Sequence, residues 1–318
     1  MNTFEKIQPL IIVCAIGLGL LAGQIDFLAM HAESFILPFL LLMLYGLFLS
    51  IPLKNFQNAF KNIPFLSTST ILNFVWTPLL AWGLGAIFLA DHPALWLGFI
   101  LLLVTPCTDW YLIFTSIAKG NMALSASVLP VNLLLQVILL PVYLYMFAGQ
   151  MQTIGLSTLF ESVVLVLLFP FLLAVLTRYL FKKNPTFLKA KLIPFFSASQ
   201  LIFLSLAIVA MFAAQGAYLI GNLHVIGLMI IPLLLFFVVN FIVAQTVGKT
   251  LNFTYEETTS LNLTIIARNS PIALSIVVTA FPDQPLIALA LIIGPLIELP
   301  VLAILSQILL RLRQEGNS

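Results

Sequence analysis

Charged residues are scarce in this sequence. Asp, Glu, Lys and Arg make up only 8% of the 318 residues, whereas 62% are hydrophobic. A soluble globular domain carries about 25% charged residues, so the composition excludes an ordinary soluble enzyme. No stretch longer than about ten residues is polar enough to form an exposed domain. The net charge of +2 is too small to indicate a nucleic-acid partner, and we predict none.

Cysteine and clustered metal ligands are lacking as well. The two cysteines, Cys14 and Cys107, both lie in apolar segments, which argues against a disulfide framework. The histidines lie in or near predicted loops, at no ligand spacing: His31, His92 and His224. A metal site needs several ligands at defined spacings, so we predict neither a metal site nor a cofactor.

The first apolar run, from about Leu10 to Leu21, follows Lys6 as the core of a signal peptide would. It has no convincing small-x-small cleavage site, and the even number of spans described below requires it. We therefore predict that it is retained as a helix. No strand precedes its glycines, which excludes a dinucleotide-binding loop. They indicate close helix packing: Gly17, Gly19 and Gly23.

Long apolar segments recur along the whole chain. Because a helix needs about 20 apolar residues to cross the hydrocarbon core, the sequence predicts an all-α membrane protein of about ten transmembrane helices. The predicted spans are 8–25, 35–53, 65–89, 94–118, 122–148, 158–180, 194–214, 222–247, 257–281 and 285–311.

The distribution of lysine and arginine predicts the orientation of these spans. If both termini are cytoplasmic, no basic residue falls in the outside loops, which are near Ala29, Asp91, Gln150, Gln215 and Asp283. Apart from Arg268, within a span, all basic residues are inside: Lys6, Lys54, Lys61, Lys119, Arg178, Lys182, Lys183, Lys189, Lys191, Lys249, Arg311 and Arg313. This is the positive-inside pattern. We predict a multi-pass protein of the inner (plasma) membrane with both termini in the cytoplasm.

The ten spans divide into two halves at the outside loop Gln150–Ser157. Because five is an odd number, the five-helix halves 1–150 and 151–318 must lie in opposite orientations. An offset of about 162 residues carries Pro106–Cys107 onto Arg268–Asn269. Inverted repeats with interrupted helices in equivalent positions are a transporter architecture, with the site at the repeat interface. The sequence therefore predicts a transporter.

The fourth and ninth spans each contain a predicted helix break. Pro106 has no backbone N–H and clashes with the preceding turn. In lipid, such a break persists only inside protein or beside a water-filled cavity. The residues after it are Cys107, Thr108 and Asp109, and those at the middle of the ninth span are Arg268, Asn269, Ser270 and Pro271. Both breaks are thus rich in polar groups.

Three ionisable residues lie inside the spans: Asp109, Arg268 and Glu298. A charge at the bilayer centre costs about 2.5–3.5 kcal/mol, so it normally faces a partner or a cavity. A structural ion pair of Arg268 with Asp109 or with Glu298 is one interpretation, and a substrate or ion pathway beside the two breaks is the favoured one. Three amide side chains also lie inside the spans: Asn73, Asn132 and Gln136. They are compatible with both interpretations, because amides join membrane helices by hydrogen bonds and also line pathways.

Several motifs resemble the bile acid:sodium symporter superfamily, and the resemblance covers essentially the whole chain. Ala118–Asn121, followed by Ala123–Ser125, is similar to the signature after that superfamily's fourth helix. Within the superfamily, the sequence resembles the arsenical-resistance permeases, which export arsenite. The features of that resemblance are Cys107, Asn73 with Pro78, Asn132 with Gln136, Ala267–Asn269, and the run Gly294–Pro300 that contains Glu298.

This resemblance implies that Cys107 binds trivalent arsenic as a thiolate, since a soft ligand suits a soft ion, and that Glu298 couples protons. We expect the following substrate-binding residues: Cys107, Thr108, Asp109, Arg268, Asn269 and Ser270. Glu298 and Asp109 are the expected proton- or ion-coupling residues. Pro106 and Asp109 stand where the arsenite permeases usually have an arginine and an uncharged residue, so the substrate stays open.

The leading hypothesis is a secondary-active exporter of arsenite or a related metalloid oxyanion, driven by proton exchange. The alternative is a sodium- or proton-coupled symporter of a small organic anion, whose carboxylate Arg268 would receive. The sodium ligands of the bile acid branch would fall at Tyr111, Leu112 and Thr264, a poor sodium cage. A membrane enzyme or sensor is a third possibility. The sequence contains no nucleophile with an identifiable base, so no enzyme is predicted. The lipid bilayer is the expected surrounding partner, and oligomeric state is undetermined.

Overall fold

The fold is given by a computed structural model that describes residues 3–50, 61–108, 110–148, 164–183, 185–221, 224 and 227–316. These residues form helices joined by turns. One isolated antiparallel bridge joins Pro106 and Arg268, and the described part of the chain contains no β-strand. The prediction of an all-α protein is confirmed.

The helices are labelled here in chain order. They are α1 Thr3–Ala22, α2 Asp26–Ser50, α3 Ile63–Ile71, α4 Thr77–Phe88, α5 Pro93–Leu103, α6 Trp110–Ile117, α7 Met122–Ala148, α8 Phe169–Leu180, α9 Ile193–Gly221, α10 Ile230–Thr250, α11 Tyr255–Ile266, α12 Ser270–Ala280 and α13 Pro285–Gly316. A π-helical turn, Leu72–Trp76, connects α3 to α4, and another, Val164–Leu168, precedes α8. Short helical turns at Phe181–Lys183, Pro185–Phe187 and Leu188–Leu192 lead into α9.

Six helical segments of the described ranges are long and apolar enough to cross a membrane. They are Asp26–Ser50, Ile63–Phe88, Met122–Phe147, Leu188–Gly216, Ile230–Thr250 and Pro285–Arg313. Shorter apolar helices cover Leu10–Ala22, Pro93–Leu103, Val164–Leu180 and Ser270–Ala280. Each of these segments overlaps one of the predicted spans.

Helix α2 begins earlier than the second predicted span. It starts at Asp26 rather than at residue 35, so the outside loop predicted near Ala29 lies inside a helix. The chain instead turns just before it, at residues 23–25. Hydropathy detects only the apolar part of a helix, and the first turns of α2 contain His31 and Glu33. Asp26 also suits this start, because an acidic residue interacts favourably with a helix N-terminus.

The contacts divide the chain into two compact units. The first unit contains Met1–Ile51, Met151–His224 and Pro271–Ile292. The second unit contains Pro52–Gln150, Val225–Ser270 and Ile293–Ser318. Each unit therefore includes segments from both of the predicted five-helix halves, so the compact units and the predicted repeats are different divisions of the chain.

In the first unit, α9 packs along both α1 and α2. A Cβ atom added at Gly19 would lie 2.7 Å from the carbonyl oxygen of Val209, and one at Gly23 would lie 2.8 Å from that of Ala213. These glycines let the backbones of α1 and α9 approach closely, as small residues do between membrane helices. The predicted packing role is confirmed for both. It is wrong for Gly17, which has no such neighbour within 4 Å in the part of the chain that the structure describes.

This difference predicts unequal effects of two alanine substitutions. Gly19→Ala should destabilise the protein by about 1–3 kcal/mol, because the backbone of α9 must move to admit the methyl group. Gly17→Ala, one half-turn earlier, should be neutral or slightly stabilising because alanine favours helix. The measurement is the fraction of monodisperse protein that remains after heating in detergent. Equal curves for the two variants would contradict the packing role of Gly19.

In the second unit, α11 packs against α3, α6, α7 and α10. Its N-terminus is held by a capping box, in which Thr254 and Glu257 exchange side-chain and backbone hydrogen bonds. The same glutamate accepts a 2.9 Å hydrogen bond from Asn62, which caps α3 through the backbone N–H of Phe65. One carboxylate therefore ties together the starts of two packed helices.

The signature Ala118–Asn121 forms the reversal between α6 and α7. Lys119 has a positive φ of 59°, and Gly120 N–H donates to the carbonyl of Thr115, which closes α6 with a Schellman motif. A side chain on Gly120 would meet that of Thr115 at 2.8 Å. Asn121 then caps α7 by accepting from the N–H of Leu124 at 2.9 Å. The motif is thus a helix stop followed by a helix start.

Candidate functional site

Both predicted helix breaks are present, and both lie in the second unit. Helix α5 ends at Leu103 and α6 begins at Trp110, whereas α11 ends at Ile266 and α12 begins at Ser270. Ala267 has extended backbone angles, with φ of −72° and ψ of 137°. Each break therefore replaces part of a helix with a short non-helical segment.

The two non-helical segments pair with each other through backbone hydrogen bonds. Cys107 N–H donates to the carbonyl of Ala267 at 3.0 Å, and Asn269 N–H donates to the carbonyl of Thr105 at 2.7 Å. The side-chain amide of Asn269 also donates to the hydroxyl of Thr108 at 3.2 Å. Irregular backbone at membrane depth must satisfy its polar groups within the protein. Here each break supplies partners for the other.

The guanidinium of Arg268 joins the ends of the two interrupted helices. It donates to the carbonyl of Leu103, the last residue of α5, at 2.9 Å, and to that of Ile266, the last residue of α11, at 3.3 Å. Its carbon lies 5.2 Å from the centre of the Phe236 ring, within range of a cation–π interaction. Helix C-termini carry partial negative charge, so they compensate the buried cation.

The paired segments Thr105–Cys107 and Ala267–Asn269 are called the crossing below. Glu298, on α13, also binds this crossing. Its carboxylate accepts a 2.9 Å hydrogen bond from the backbone N–H of Arg268. Among the described residues, the one ion pair within 4.0 Å is that of Arg313 with Glu256. The interpretation of Arg268 and Glu298 as a structural ion pair is therefore wrong in its geometry: the main chain, rather than the guanidinium, holds the carboxylate.

The structure brings together five of the residues predicted from the sequence to form the site. They are Cys107, Thr108, Arg268, Asn269 and Glu298, each no more than 5% exposed. Ser270, the next residue along the chain, is also buried. Asp109 lies outside the described residues. The site is thus a buried cluster around two paired helix breaks.

The supporting amides lie on helices that pack around this cluster. Asn73 is in the π-helical turn Leu72–Trp76, and Asn132 and Gln136 are on α7, which packs against α5, α6 and α11. All three side chains are at most 1% exposed. Neither end of any of these amides has a hydrogen-bond partner within the described part of the protein.

Sequence reasoning missed the main-chain groups of the site. The carbonyls of Leu103 and Ile266 are the acceptors for Arg268, and Phe236 lies beneath its guanidinium. A buried cation needs hydrogen-bond acceptors. Because α5 and α11 both end near Arg268, this rule would have suggested the carbonyls at their C-termini. Nothing in the apolar sequence around Phe236 distinguishes it from its neighbours, and the π-helical turn at Asn73 has no sequence signal that we recognise.

Comparison with known families identifies one match that includes the first helix break. The sequence profile of the sodium bile acid symporter family matches residues 37–222. This region is more than half of the 318-residue chain.

Similar proteins occur in several bacteria. Arsenical-resistance protein Acr3 of Corynebacterium glutamicum is 27% identical over 323 aligned positions, which cover 95% of this chain and 87% of that protein. Uncharacterized protein YbaS of Bacillus subtilis is 24% identical over 92% of both chains. Uncharacterized sodium-dependent transporter YocS of Bacillus subtilis is 28% identical over 48% of this chain and 47% of its own length.

Proposed function

The chain belongs to the sodium bile acid symporter family of multi-pass membrane transporters, and we propose that it exports arsenite or a related metalloid oxyanion in exchange for protons. The observation that carries this proposal is the position of a thiol and a carboxyl on one crossing. The backbone N–H of Cys107 donates a hydrogen bond to the carbonyl of Ala267. The backbone N–H of Arg268, the residue after Ala267, donates a hydrogen bond to the carboxylate of Glu298. The similarity to a protein named for arsenical resistance supports the same substrate.

In this proposal Cys107 is the substrate ligand. A thiolate is a soft donor and suits trivalent arsenic. Thr108, Asn269 and Ser270 supply hydroxyl and amide groups beside it, and Asn269 already holds the Thr108 side chain. Arg268 contributes to the site by holding both helix breaks in place through its hydrogen bonds to the carbonyls of Leu103 and Ile266. Asp109 stays a proposed substrate and coupling residue.

Glu298 is the proposed proton carrier. Its ionised carboxylate is a strong acceptor for the N–H of Arg268, and protonation weakens that hydrogen bond. Because the neighbouring carbonyl of Ala267 holds the backbone of Cys107, a change at Glu298 reaches the substrate ligand through one peptide unit. This connection provides a physical route from proton binding to substrate affinity.

The proposed architecture is two inverted five-helix halves, 1–150 and 151–318, in the inner (plasma) membrane. The ten predicted spans and the absence of basic residues from the predicted outside loops support this architecture, and the same distribution of basic residues favours cytoplasmic termini. The helix breaks would then occupy equivalent positions in the two halves, as in other transporters with inverted repeats.

The test of the arsenite proposal is transport by inverted membrane vesicles that contain the full chain. We expect proton-gradient-driven accumulation of arsenite in vesicles with the parent protein and only background accumulation with Cys107→Ser. Cys14→Ser is the matched control, because Cys14 is exposed on α1, and it should transport like the parent. Unchanged transport by Cys107→Ser, or no arsenite transport by the parent, would refute the thiolate mechanism.

The second candidate is a sodium- or proton-coupled symporter of a small organic anion, which the family description and the name of YocS favour. The positions of the bile acid branch's sodium ligands argue against sodium coupling. The hydroxyl of Tyr111 donates to the carbonyl of Ser125, and that of Thr264 donates to the carbonyl of Ser260. Leu112, the third position, has no oxygen in its side chain. Sodium-dependent uptake of a bile acid, without arsenite movement, would favour this candidate instead.

A further inference from the structure

A row of buried polar side chains follows the helix that the π-helical turn interrupts. Ser69, Asn73 and Thr77 lie at intervals of four residues, which places successive members on one face of a helix. All three are at most 1% exposed. The Ser69 and Thr77 hydroxyls, and both ends of the Asn73 amide, have no hydrogen-bond partner among the described residues.

A second row of the same kind lies on α7. It consists of Ser125, Asn132 and Gln136, whose spacings of seven and four residues also correspond to one helix face. These side chains are at most 1% exposed. The Ser125 hydroxyl and both ends of the two amides lack partners within the described ranges.

Tyr143 shows which surface the second row meets. It lies seven residues after Gln136 and therefore on the same face of α7. Its hydroxyl donates a 2.6 Å hydrogen bond to the carbonyl of Phe74, which is in the π-helical turn next to Asn73. Helix α11 also packs against both α3 and α7. The two rows consequently lie on neighbouring elements of the second unit.

Leaving these groups unpartnered has a considerable cost. A buried polar group without a hydrogen bond destabilises the folded state, and buried polar groups in native proteins are normally paired. A leucine of similar volume would avoid the cost at Asn73, Asn132 or Gln136. The rows are therefore better explained by a ligand that completes their hydrogen bonds than by packing between helices.

The chemistry of the unpartnered atoms selects the class of ligand. Three amide nitrogens can only donate, three amide oxygens can only accept, and the three hydroxyls can do both. A bare cation would use only the oxygens, and a fully ionised anion would use only the N–H and O–H groups. A neutral solute that carries several hydroxyl groups uses every kind. Neither row contains a charged residue.

We propose that the two rows, Ser69–Asn73–Thr77 and Ser125–Asn132–Gln136, bind an uncharged solute with several hydroxyl groups. This inference rests on the proposed function in one respect: the arsenite proposed there as substrate is, in neutral water, the uncharged arsenic trihydroxide rather than an ionised oxyanion, and it is in this form that the rows would receive it. At 1.5 Å per residue, the rows extend over about 12 Å and 16 Å. That is up to about half of the 30 Å hydrocarbon core, so they form a path rather than a point.

The arginine at the crossing is consistent with an uncharged substrate. Two helix-end carbonyls accept from Nη1 and Nε of Arg268 and an aromatic ring lies against its guanidinium, while Nη2 has no hydrogen-bond partner among the described residues. Its charge therefore helps to hold the helix breaks, and recognition along the rows falls to amides and hydroxyls. Because the solute is uncharged, no cationic side chain has to bind it along this path.

The test uses the purified full chain and boric acid, an uncharged trihydroxide at neutral pH with no preference for thiols. We expect boric acid to raise the apparent melting temperature of the parent and of Cys107→Ser equally. The shift should be lost in Asn132→Leu and in Gln136→Leu, while inorganic phosphate produces no shift in any of them. Stabilisation by phosphate, no stabilisation by boric acid, or an equal shift in the leucine variants would overturn the proposal.

A matched amide variant controls for effects on folding. Asn240 is as buried as Asn132 but is paired, because it accepts from the indole of Trp76 at 3.1 Å and donates to the carbonyl of Phe236. Without ligand, Asn240→Leu should lower the apparent melting temperature, whereas Asn132→Leu should leave it unchanged or raise it. A comparable loss in Asn132→Leu would mean that its amide has a structural partner, against the proposal.

Arsenite transport then separates this inference from the proposed function. If the parent moves no arsenite but boric acid behaves as expected, the proposed function fails and the polyhydroxyl path stands. If the parent moves arsenite and both leucine variants move it at the parent rate, the path fails and arsenite export stands. If the leucine variants fold normally and their arsenite transport falls severalfold, both are supported.

Discussion

Replacing Arg268 with methionine should lower the free energy of unfolding by about 3–5 kcal/mol, the range for removing one partner from a buried charged network. The substitution leaves the carbonyls of Leu103 and Ile266 without their donor, and each orphaned acceptor costs about 1–3 kcal/mol. It also leaves the carboxylate of Glu298 without a nearby cation. The measurement is the midpoint of unfolding in detergent at increasing concentrations of dodecyl sulfate.

Two further variants separate charge from hydrogen bonding at this position. Arg268→Lys keeps the charge, but one ammonium does not reproduce the planar fork that reaches two carbonyls, so we expect an intermediate loss. The double variant Arg268→Met/Glu298→Gln removes both charges and should recover part of the stability lost in Arg268→Met. No recovery would mean that the carbonyl contacts account for the whole effect.

Arg313→Met is the surface control for this series. Arg313 forms a 3.4 Å ion pair with Glu256, and the two side chains are 38% and 44% exposed. Partly exposed ion pairs contribute at most about 1 kcal/mol, so this variant should unfold close to the parent midpoint. If Arg313→Met is as destabilised as Arg268→Met, the loss of stability is not specific to the buried hydrogen bonds of Arg268, and the proposed role of Arg268 in holding the two breaks is refuted.

Glu298→Gln should abolish proton-driven accumulation of arsenite and preserve the fold. The amide oxygen of glutamine can still accept from the N–H of Arg268, so the hydrogen bond that holds the crossing is retained. A glutamine side chain does not ionise in the relevant pH range and so carries no net proton across the membrane; coupling to the gradient is therefore lost. The measurement is arsenite accumulation in inverted vesicles with and without a proton gradient.

Counterflow distinguishes a coupling residue from a substrate ligand. Glu298→Gln vesicles preloaded with arsenite should still exchange it for external labelled arsenite without any gradient, because exchange needs substrate binding but no net proton movement. Loss of counterflow together with accumulation would make Glu298 part of the substrate site instead. Glu257→Gln is the matched control, since Glu257 serves in the capping box of α11, and it should retain coupled transport.

Much of the fold could be predicted from local features of the chain. The apolar segments approximately marked the long apolar helices of the described ranges, and Pro106 marked a break that the structure contains. The capping box at Thr254 and the stop–start signature at Gly120 also act through neighbouring residues, so their geometry depends little on the rest of the fold. Boundaries such as the start of α2 were less certain, because hydropathy does not detect polar helical turns.

The candidate site was predicted as a set of residues rather than as an arrangement. The sequence placed Cys107, Arg268 and Glu298 near two breaks but left open which acid would pair with the arginine. In the structure, Glu298 binds a backbone N–H, and the guanidinium binds two carbonyls. These partners are main-chain groups that every residue carries, so the sequence does not distinguish them.

The sequence by itself therefore determined the class of this protein: long apolar segments predict membrane-spanning helices, basic residues predict their orientation, and Pro106 predicts a break in one helix. Only the tertiary structure decided what each break is paired with, that Arg268 joins two helix ends, and that two rows of amides and hydroxyls lie buried on neighbouring elements. The reason is physical. Local patterns act over a few residues, whereas Thr105 and Asn269 meet across about half of the chain's length, and such contacts exist only once the helices have packed.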